Sequence, residues 1–154
     1  MREVRCWVFG NLTTQALKSF YISRQANLQT NVSNKKPMIA IVDDERSVRE
    51  ATGRLMRSLG YNAVMFASAE EFLKSAKLHD TSCLITDVHM PRLSGIDLHD
   101  RLTARGHRIP IIFIAGDPAG TRAYAMKAWV ICFLGKPFRP DHLHSCIETA
   151  LKAV

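Results

Sequence analysis

The stretch IAIVDD, residues 39–44, places two carboxylates directly after a short apolar run. The stretches CLITD, residues 83–87, and ICFLGK, residues 131–136, have the same form, an apolar run that leads into a charged residue. Short apolar runs separated by amphipathic segments are typical of buried parallel strands that alternate with helices. Because ligands bind outside the carboxyl ends of such strands, we expect the charged residues to converge at one edge of a sheet. These residues are Asp43, Asp44, Asp87 and Lys136.

From residue 38 onward the whole pattern alternates between strands and helices. Strands are predicted over residues 39–42, 61–66, 83–88, 109–115 and 129–134. Helices are predicted over residues 48–59, 68–76, 94–106, 121–128 and 141–152, with Ser68 and Ser94 as caps and Ser68-x-x-Glu71 as a capping box. Five strand-helix units predict an α/β fold with a doubly wound parallel sheet.

Composition and charge fit a single domain with a short segment attached. The chain has 154 residues, and its net charge of +7 is concentrated in residues 1–37, which hold six basic residues and one acidic residue. The remainder is nearly neutral, so the charge does not indicate that the folded part binds nucleic acid directly. No apolar run approaches the about 20 residues that span a bilayer, so no membrane association is expected.

Residues 1–37 differ in composition from residues 38–154, which we assign to the single domain. Residues 23–37 are polar, with too few apolar side chains for a buried face, as in a linker or a poorly ordered tail. A start-site artefact stays open as the other interpretation, with translation beginning at Val32 or Met38. The sequence ends at Val154, directly after the last predicted helix, from which we expect a single-domain protein.

The chain has four cysteines, without a CxxC pair or metal-ligand spacing. They are Cys6, Cys83, Cys132 and Cys146. We expect reduced, inert thiols, with Cys83 and Cys132 packed in core strands. A cytoplasmic location follows from that expectation.

The acidic residues suggest a metal-dependent site. Adjacent carboxylates close to a third are costly unless a cation is present, and oxygen ligands of this kind suit Mg²⁺. A carboxylate beside the metal can take up a phosphoryl group as a nucleophile, and a lysine can neutralise the phosphoryl oxygens. Asp43 and Asp44 alone would more readily be interpreted as helix caps; Asp87 and Lys136 in matching contexts favour the site.

Three segments together resemble the receiver domain of bacterial two-component response regulators, most closely the type found in nitrogen-fixation regulators. They are IVDDERSVRE, CLITDVHMPRLSG and FLGKPF, and the resemblance covers residues 38–154. It implies a flavodoxin-like sheet in the order 2-1-3-4-5 and Asp87 as the phosphoacceptor. The implied Mg²⁺ ligands are Asp43 (through water), Asp44, Asp87 and the backbone carbonyl of His89.

By the same resemblance, Lys136 contacts the phosphoryl group, the Lys136-Pro137 bond is cis, and Phe133 is the aromatic switch residue. The implied phosphodonor is a histidine kinase or phosphotransfer protein, and the receiver is a phosphoacceptor rather than an enzyme. A homodimer through the predicted helix 121–128, the fifth strand and the last helix is a further implication.

The sequence departs from the family pattern at Ala115, where Thr or Ser usually bonds the phosphoryl group. Alanine cannot donate that hydrogen bond, so coupling to the helix that follows and to the fifth strand is expected to be weakened. The runner-up function is therefore a degenerate receiver that binds a protein partner regardless of phosphorylation. Trp129 and Val130 replace small residues, and a role for Trp129 at the core edge or in an interface stays open.

Two other functional classes fit the sequence less well. A metal-dependent phosphatase acting through an aspartyl phosphate generally needs a second acid two residues after the nucleophile, where this chain has His89. Direct DNA binding would require a recognisable helix-turn-helix, which the sequence does not contain.

Overall fold

The computed structural model describes residues 35–117 and 129–153. Five parallel strands form one sheet in the order β2-β1-β3-β4-β5. The strands are β1 (Met38–Val42), β2 (Asn62–Phe66), β3 (Thr81–Asp87), β4 (Ile111–Ala115) and β5 (Val130–Gly135). The predicted doubly wound, flavodoxin-like fold and its strand order are confirmed.

Helices cover both faces of the sheet. They are α1 (Arg46–Ser58), α2 (Ala69–Lys74), α3 (Gly95–Ala104) and α4 (Pro140–Lys152), with a short 3-10 helix at Ala76–Asp80. One buried cluster joins strand side chains such as Phe113 to Phe72 of α2 and Leu98 of α3. The other joins the opposite strand side chains to Met56 of α1 and Ile147 of α4. Strands buried on both faces account for the apolar runs in the sequence.

The helix starts follow the predicted caps, with one difference. At α3, Ser94 forms a complete capping box with Asp97. At α2, the Ser68 hydroxyl accepts the Glu71 N–H, but the Glu71 carboxylate accepts the N–H of Ala67 instead of completing the box. The helix predicted over 68–76 ends at Lys74, and the 3-10 helix follows it.

Two predictions lie outside the described residues: the helix over 121–128 and almost all of the segment 1–37. Within residues 35–117 and 129–153, no helix has the length and apolar character needed to cross a membrane.

The expectation of four reduced cysteines is wrong for Cys132 and Cys146, which form a disulfide, so the cysteines do not support the expected cytoplasmic location. Packing of α4 on β5 brings their Cα atoms to 6.1 Å, within the range that a disulfide spans. The two residues are 14 positions apart and belong to different elements, so their spacing gave no indication of the pairing. Cys83 is a buried free thiol, as expected.

Candidate functional site

Three charged side chains meet at the carboxyl edge of the sheet. Asp43 directly follows β1, Asp87 is the last residue of β3 and Lys136 directly follows β5. The Lys136 Nζ lies 2.7 Å from Asp87 Oδ2 and 3.6 Å from Asp43 Oδ2. The expected convergence therefore occurs, because parallel strands end at a common edge.

Asp44 completes an acidic cluster with Asp43 and Asp87. One carboxylate oxygen from each of the three residues lies within 4.8 Å of the other two. Asp43 and Asp87 are buried, with exposed fractions of 2% and 6%, whereas Asp44 is exposed. The cluster thus has a buried inner part and one carboxylate at its mouth.

Burial and the neighbouring charges shift the pKa values of Asp43 and Lys136. The pKa of Asp43 is raised, first by burial and then by repulsion from Asp87 and Asp44, against the opposing effects of the Glu45 N–H and Lys136. Burial alone would lower the pKa of Lys136, but the hydrogen bond to Asp87 and attraction to nearby carboxylates outweigh it, so that pKa is raised. Lys136 is therefore a firmly charged cation in a site with excess negative charge.

Backbone N–H groups hold the two buried carboxylates in place. The His89 N–H donates to Asp87 Oδ1 over 3.0 Å, and the Glu45 N–H donates to Asp43 Oδ1 over 2.8 Å. The His89 ring is exposed. Arg49 was not among the predicted site residues; its Nη1 donates to the Asp43 carbonyl over 2.6 Å and ties α1 to the end of β1.

Gly95 is a second site residue that was not predicted from the sequence. A Cβ at this position would overlap the Asp87 carbonyl oxygen and would lie 3.2 Å from the Thr86 hydroxyl. The Gly95 N–H also donates to the Val88 carbonyl over 3.0 Å. The first residue of α3 therefore packs directly on the backbone of Asp87, an approach that only glycine allows.

Ala115, at the end of β4, is fully buried, and its carbonyl accepts the Lys136 N–H over 2.8 Å. Phe133 is partly buried and stacks on Phe113 with ring centroids 4.9 Å apart. The Lys136-Pro137 bond is cis, the form that the resemblance implied.

Trp129 lies away from the acidic cluster. It precedes β5, and its carbonyl accepts the N–H of Ile111, the first residue of β4, over 2.8 Å. Its side chain is partly exposed, and its backbone φ is 68°. Trp129 therefore sits at the amino edge of the sheet, opposite the acidic residues.

The cluster fits a divalent cation. Three carboxylates face a single lysine, which leaves an excess of negative charge that Mg²⁺ would offset. Carboxylate oxygens are also the ligands that Mg²⁺ prefers.

The sequence of this domain matches a known family. Residues 39–148 match the family described as the response regulator receiver domain. The chain belongs to this family. Receiver domains are the input modules of two-component signal transduction, and the Asp43-Asp44, Asp87 and Lys136 arrangement lies within the matched region.

Curated relatives support the assignment. The chain is 42% identical over 125 residues to the response regulator protein TmoT of Ectopseudomonas mendocina, which covers 79% of this chain and 56% of TmoT. It is 40% identical over 121 residues to nodulation protein W of Bradyrhizobium diazoefficiens, covering 77% of this chain and 52% of that protein. The chain thus spans a little over half the length of these relatives.

Solved structures agree with the fold. The response regulator StyR superposes with a TM-score of 0.71 at 41% identity, covering 76% of this chain and 60% of StyR. The FixJ-N structure superposes with a TM-score of 0.69 at 34% identity, covering 78% of this chain and 97% of that structure.

Proposed function

We propose that this receiver accepts a phosphoryl group on Asp87 from a histidine kinase or phosphotransfer protein. The observation that carries the proposal is the environment of the Asp87 carboxylate. It is almost completely buried, it is held by the Lys136 ammonium and the His89 N–H, and it lies beside two further carboxylates. A phosphorylated Asp87 would carry more negative charge than the free carboxylate, and the Lys136 ammonium is placed to offset that charge.

In the proposed reaction, an Asp87 carboxylate oxygen attacks the phosphorus atom of a phosphohistidine. The new O–P bond replaces the P–N bond, and the leaving imidazole keeps the electron pair and ends neutral after taking up a proton. Lys136 offsets charge on the phosphoryl oxygens from its position beside Asp87. His89 keeps the carboxylate oriented through its backbone N–H.

Mg²⁺ is the proposed cofactor, and it would supply positive charge next to the transferred group. Asp44, Asp87 and the His89 carbonyl would hold it directly, and Asp43 would hold it through bound water. The raised pKa of Asp43 supports this assignment, since it reflects a buried carboxylate whose charge is incompletely offset by protein groups.

The other parts of the proposal follow from the family. The protein works in the cytoplasm as a phosphoacceptor, without turning over an external substrate and without contacting nucleic acid itself. A homodimer would use the region 121–128 together with β5 and α4. Phe133 and Ala115 occupy the positions through which phosphorylation would reach that surface.

The experiment that tests the proposal is labelling with acetyl phosphate and Mg²⁺. Asp87→Asn should abolish a base-labile phosphoryl adduct of about 80 Da in the intact mass, because the amide is a poor nucleophile. Asp80→Asn, a matched change at an exposed aspartate, should label like the wild type. Undiminished labelling of Asp87→Asn would show that another residue is the acceptor.

A degenerate receiver is the second candidate, and Ala115 is the observation that favours it. Its buried methyl group has no hydroxyl to offer a phosphoryl group on Asp87. In that case labelling would occur, but amide exchange in β5 and α4 would not change on phosphorylation. A normal change in exchange would exclude this candidate.

A further inference from the structure

A covalent bond joins β5 and α4, the two described elements that follow β4 in the chain. The disulfide between Cys132 and Cys146 connects β5 to α4. We propose that these two cysteines are a thiol–disulfide site whose oxidation state determines whether β5 and α4 can shift when Asp87 is phosphorylated. This inference rests on the proposed function and adds a redox input to it.

Cys132 is placed so that the disulfide restrains the backbone of β5. Cys132 packs in the cluster that contains Leu143 and Ile147 of α4, whereas Phe133 packs in the cluster on the opposite face. Successive strand side chains point to opposite faces, so the bond anchors the side of β5 directly behind Phe133. A displacement of Phe133 that includes a shift of the strand backbone would be restrained by this bond.

The same strand leads into the site. Lys136 follows β5 directly, and its N–H donates to the Ala115 carbonyl, while its ammonium binds Asp87. The strand segment from Cys132 to Lys136 is therefore held at one end by the disulfide and at the other by the ion pair. Breaking the disulfide would leave β5 and α4 joined by the backbone of residues 136–139 and by noncovalent packing.

The cytoplasmic location proposed from family membership makes a purely structural disulfide a poor explanation. Disulfides in reducing compartments are generally transient and are used in catalysis or redox sensing. The pair is also shielded, with exposed fractions of 3% for Cys132 and 1% for Cys146. Thiol–disulfide exchange therefore requires α4 to separate locally from β5. The rate of this reaction is sensitive to any change in how the two elements pack.

Oxidised glutathione, a low-molecular-weight disulfide, can serve as the oxidant. One cysteine thiolate attacks it, forms a mixed disulfide and releases one glutathione thiolate. The second cysteine thiolate then attacks the mixed disulfide, forms the Cys132–Cys146 bond and releases the second glutathione. Two electrons pass to glutathione, and the two protons that leave the cysteines are taken up by the two glutathione thiolates.

The test compares the full chain treated with oxidised glutathione with the chain treated with dithiothreitol. Peptide mass mapping first establishes whether the Cys132–Cys146 link is present or absent. Amide exchange is then measured with and without beryllofluoride and Mg²⁺, an analogue of the phosphoryl group. In the reduced chain, exchange in β5 and α4 should change by about fivefold or more on adding the analogue, and the oxidised chain should change much less.

Two variants separate the proposed link from general effects of thiols. Cys132→Val with Cys146→Ala should respond like the reduced chain in both buffers. Cys83→Val removes a buried thiol outside the link and should keep the difference between the buffers. If this control loses the difference as well, the effect does not belong to the Cys132–Cys146 pair and the inference is overturned.

The remaining outcomes are distinct. Failure of the link to form in oxidised glutathione, or an equal response of the oxidised and reduced chains, would overturn the redox inference while acetyl phosphate still labels Asp87. Absence of both labelling and analogue response in the reduced chain would instead overturn the proposed phosphoacceptor function, and the inference with it.

Discussion

The Lys136 ammonium lies 2.7 Å from the Asp87 carboxylate, although the two residues are separated by 49 positions. The side chain of Asp87 is 8% exposed and that of Lys136 is 25% exposed, so solvent screens the pair only in part. The second contact of Lys136, at 3.6 Å from Asp43, makes it a shared cation between two buried carboxylates. Its removal would take away the cation that these two carboxylates share.

Lys136→Met should therefore slow phosphoryl transfer from acetyl phosphate by about 100-fold, because the transferred oxygens lose their positive partner. The Mg²⁺-free protein should also lose about 2 kcal/mol in its free energy of unfolding, since the hydrogen bond to a charged group is lost. Stopped labelling reactions and urea unfolding in a chelator measure the two effects.

Lys74→Met provides the control, because Lys74 is exposed at the end of α2. It should leave both quantities close to the wild-type values. Equal labelling rates for Lys136→Met and the wild type would remove Lys136 from the proposed mechanism.

Asp43→Asn should weaken Mg²⁺ binding by about tenfold or more, because a group that orients the metal loses its charge. The same change should stabilise the Mg²⁺-free protein at neutral pH. The folded-state pKa of Asp43 is raised, chiefly by burial, so ionised Asp43 opposes folding above that pKa.

The stability difference between Asp43→Asn and the wild type should depend on pH. Below the unfolded-state pKa of an aspartate, Asp43 is protonated in both states, and the advantage of Asp43→Asn should disappear. As the pH rises from the unfolded-state pKa to the raised folded-state pKa, the advantage should grow, and above the folded-state pKa it should be complete. Thermal unfolding in a chelator at several pH values measures it, with Asp80→Asn as the control; an advantage that grows toward low pH would contradict the prediction.

Ala115→Thr should increase the change in amide exchange that phosphorylation produces in β5, because the hydroxyl can donate to the phosphoryl group. It should leave the extent of labelling unchanged. Ala115 is fully buried, so the added atoms should also cost about 1–3 kcal/mol of stability.

Ala115→Val is the matched control, since valine adds nearly the same volume without a hydroxyl. It should lose stability in the same way but show no larger response than the wild type. The same response in the Thr and Val variants would mean that the missing hydroxyl is not what limits the switch.

Gly95→Ala should reduce both stability and labelling, because the new Cβ would overlap the Asp87 carbonyl and force α3 away from the site. We expect a loss of about 1–3 kcal/mol in the free energy of unfolding, as for other overpacked positions. Gly116→Ala is the control, since a Cβ there would meet no atom of the described residues within 4 Å. Wild-type labelling by a folded Gly95→Ala protein would show that the close approach has no functional role.

Local features of the fold could be predicted because they depend on nearby residues. The apolar run before Asp43 predicts a buried strand, and the Ser94 cap is confirmed by its hydrogen bond to the Asp97 N–H over 3.1 Å. The Ser68 cap is confirmed as well, but the Glu71 side chain had two backbone N–H groups within reach, and the sequence could not decide between them. Likewise, strand edges were predicted a residue or two away from where the ladder places them.

The sequence by itself determined that carboxylates and a lysine stand at strand ends, since strand periodicity and chain direction put those ends at one edge of the sheet. Only the tertiary structure decided the contacts that depend on how separate elements pack. Burial of Asp43 raises its pKa, α3 presses Gly95 against Asp87, and α4 brings Cys146 to Cys132. Each of these depends on distances between separate elements, which side-chain packing fixes and residue spacing does not record.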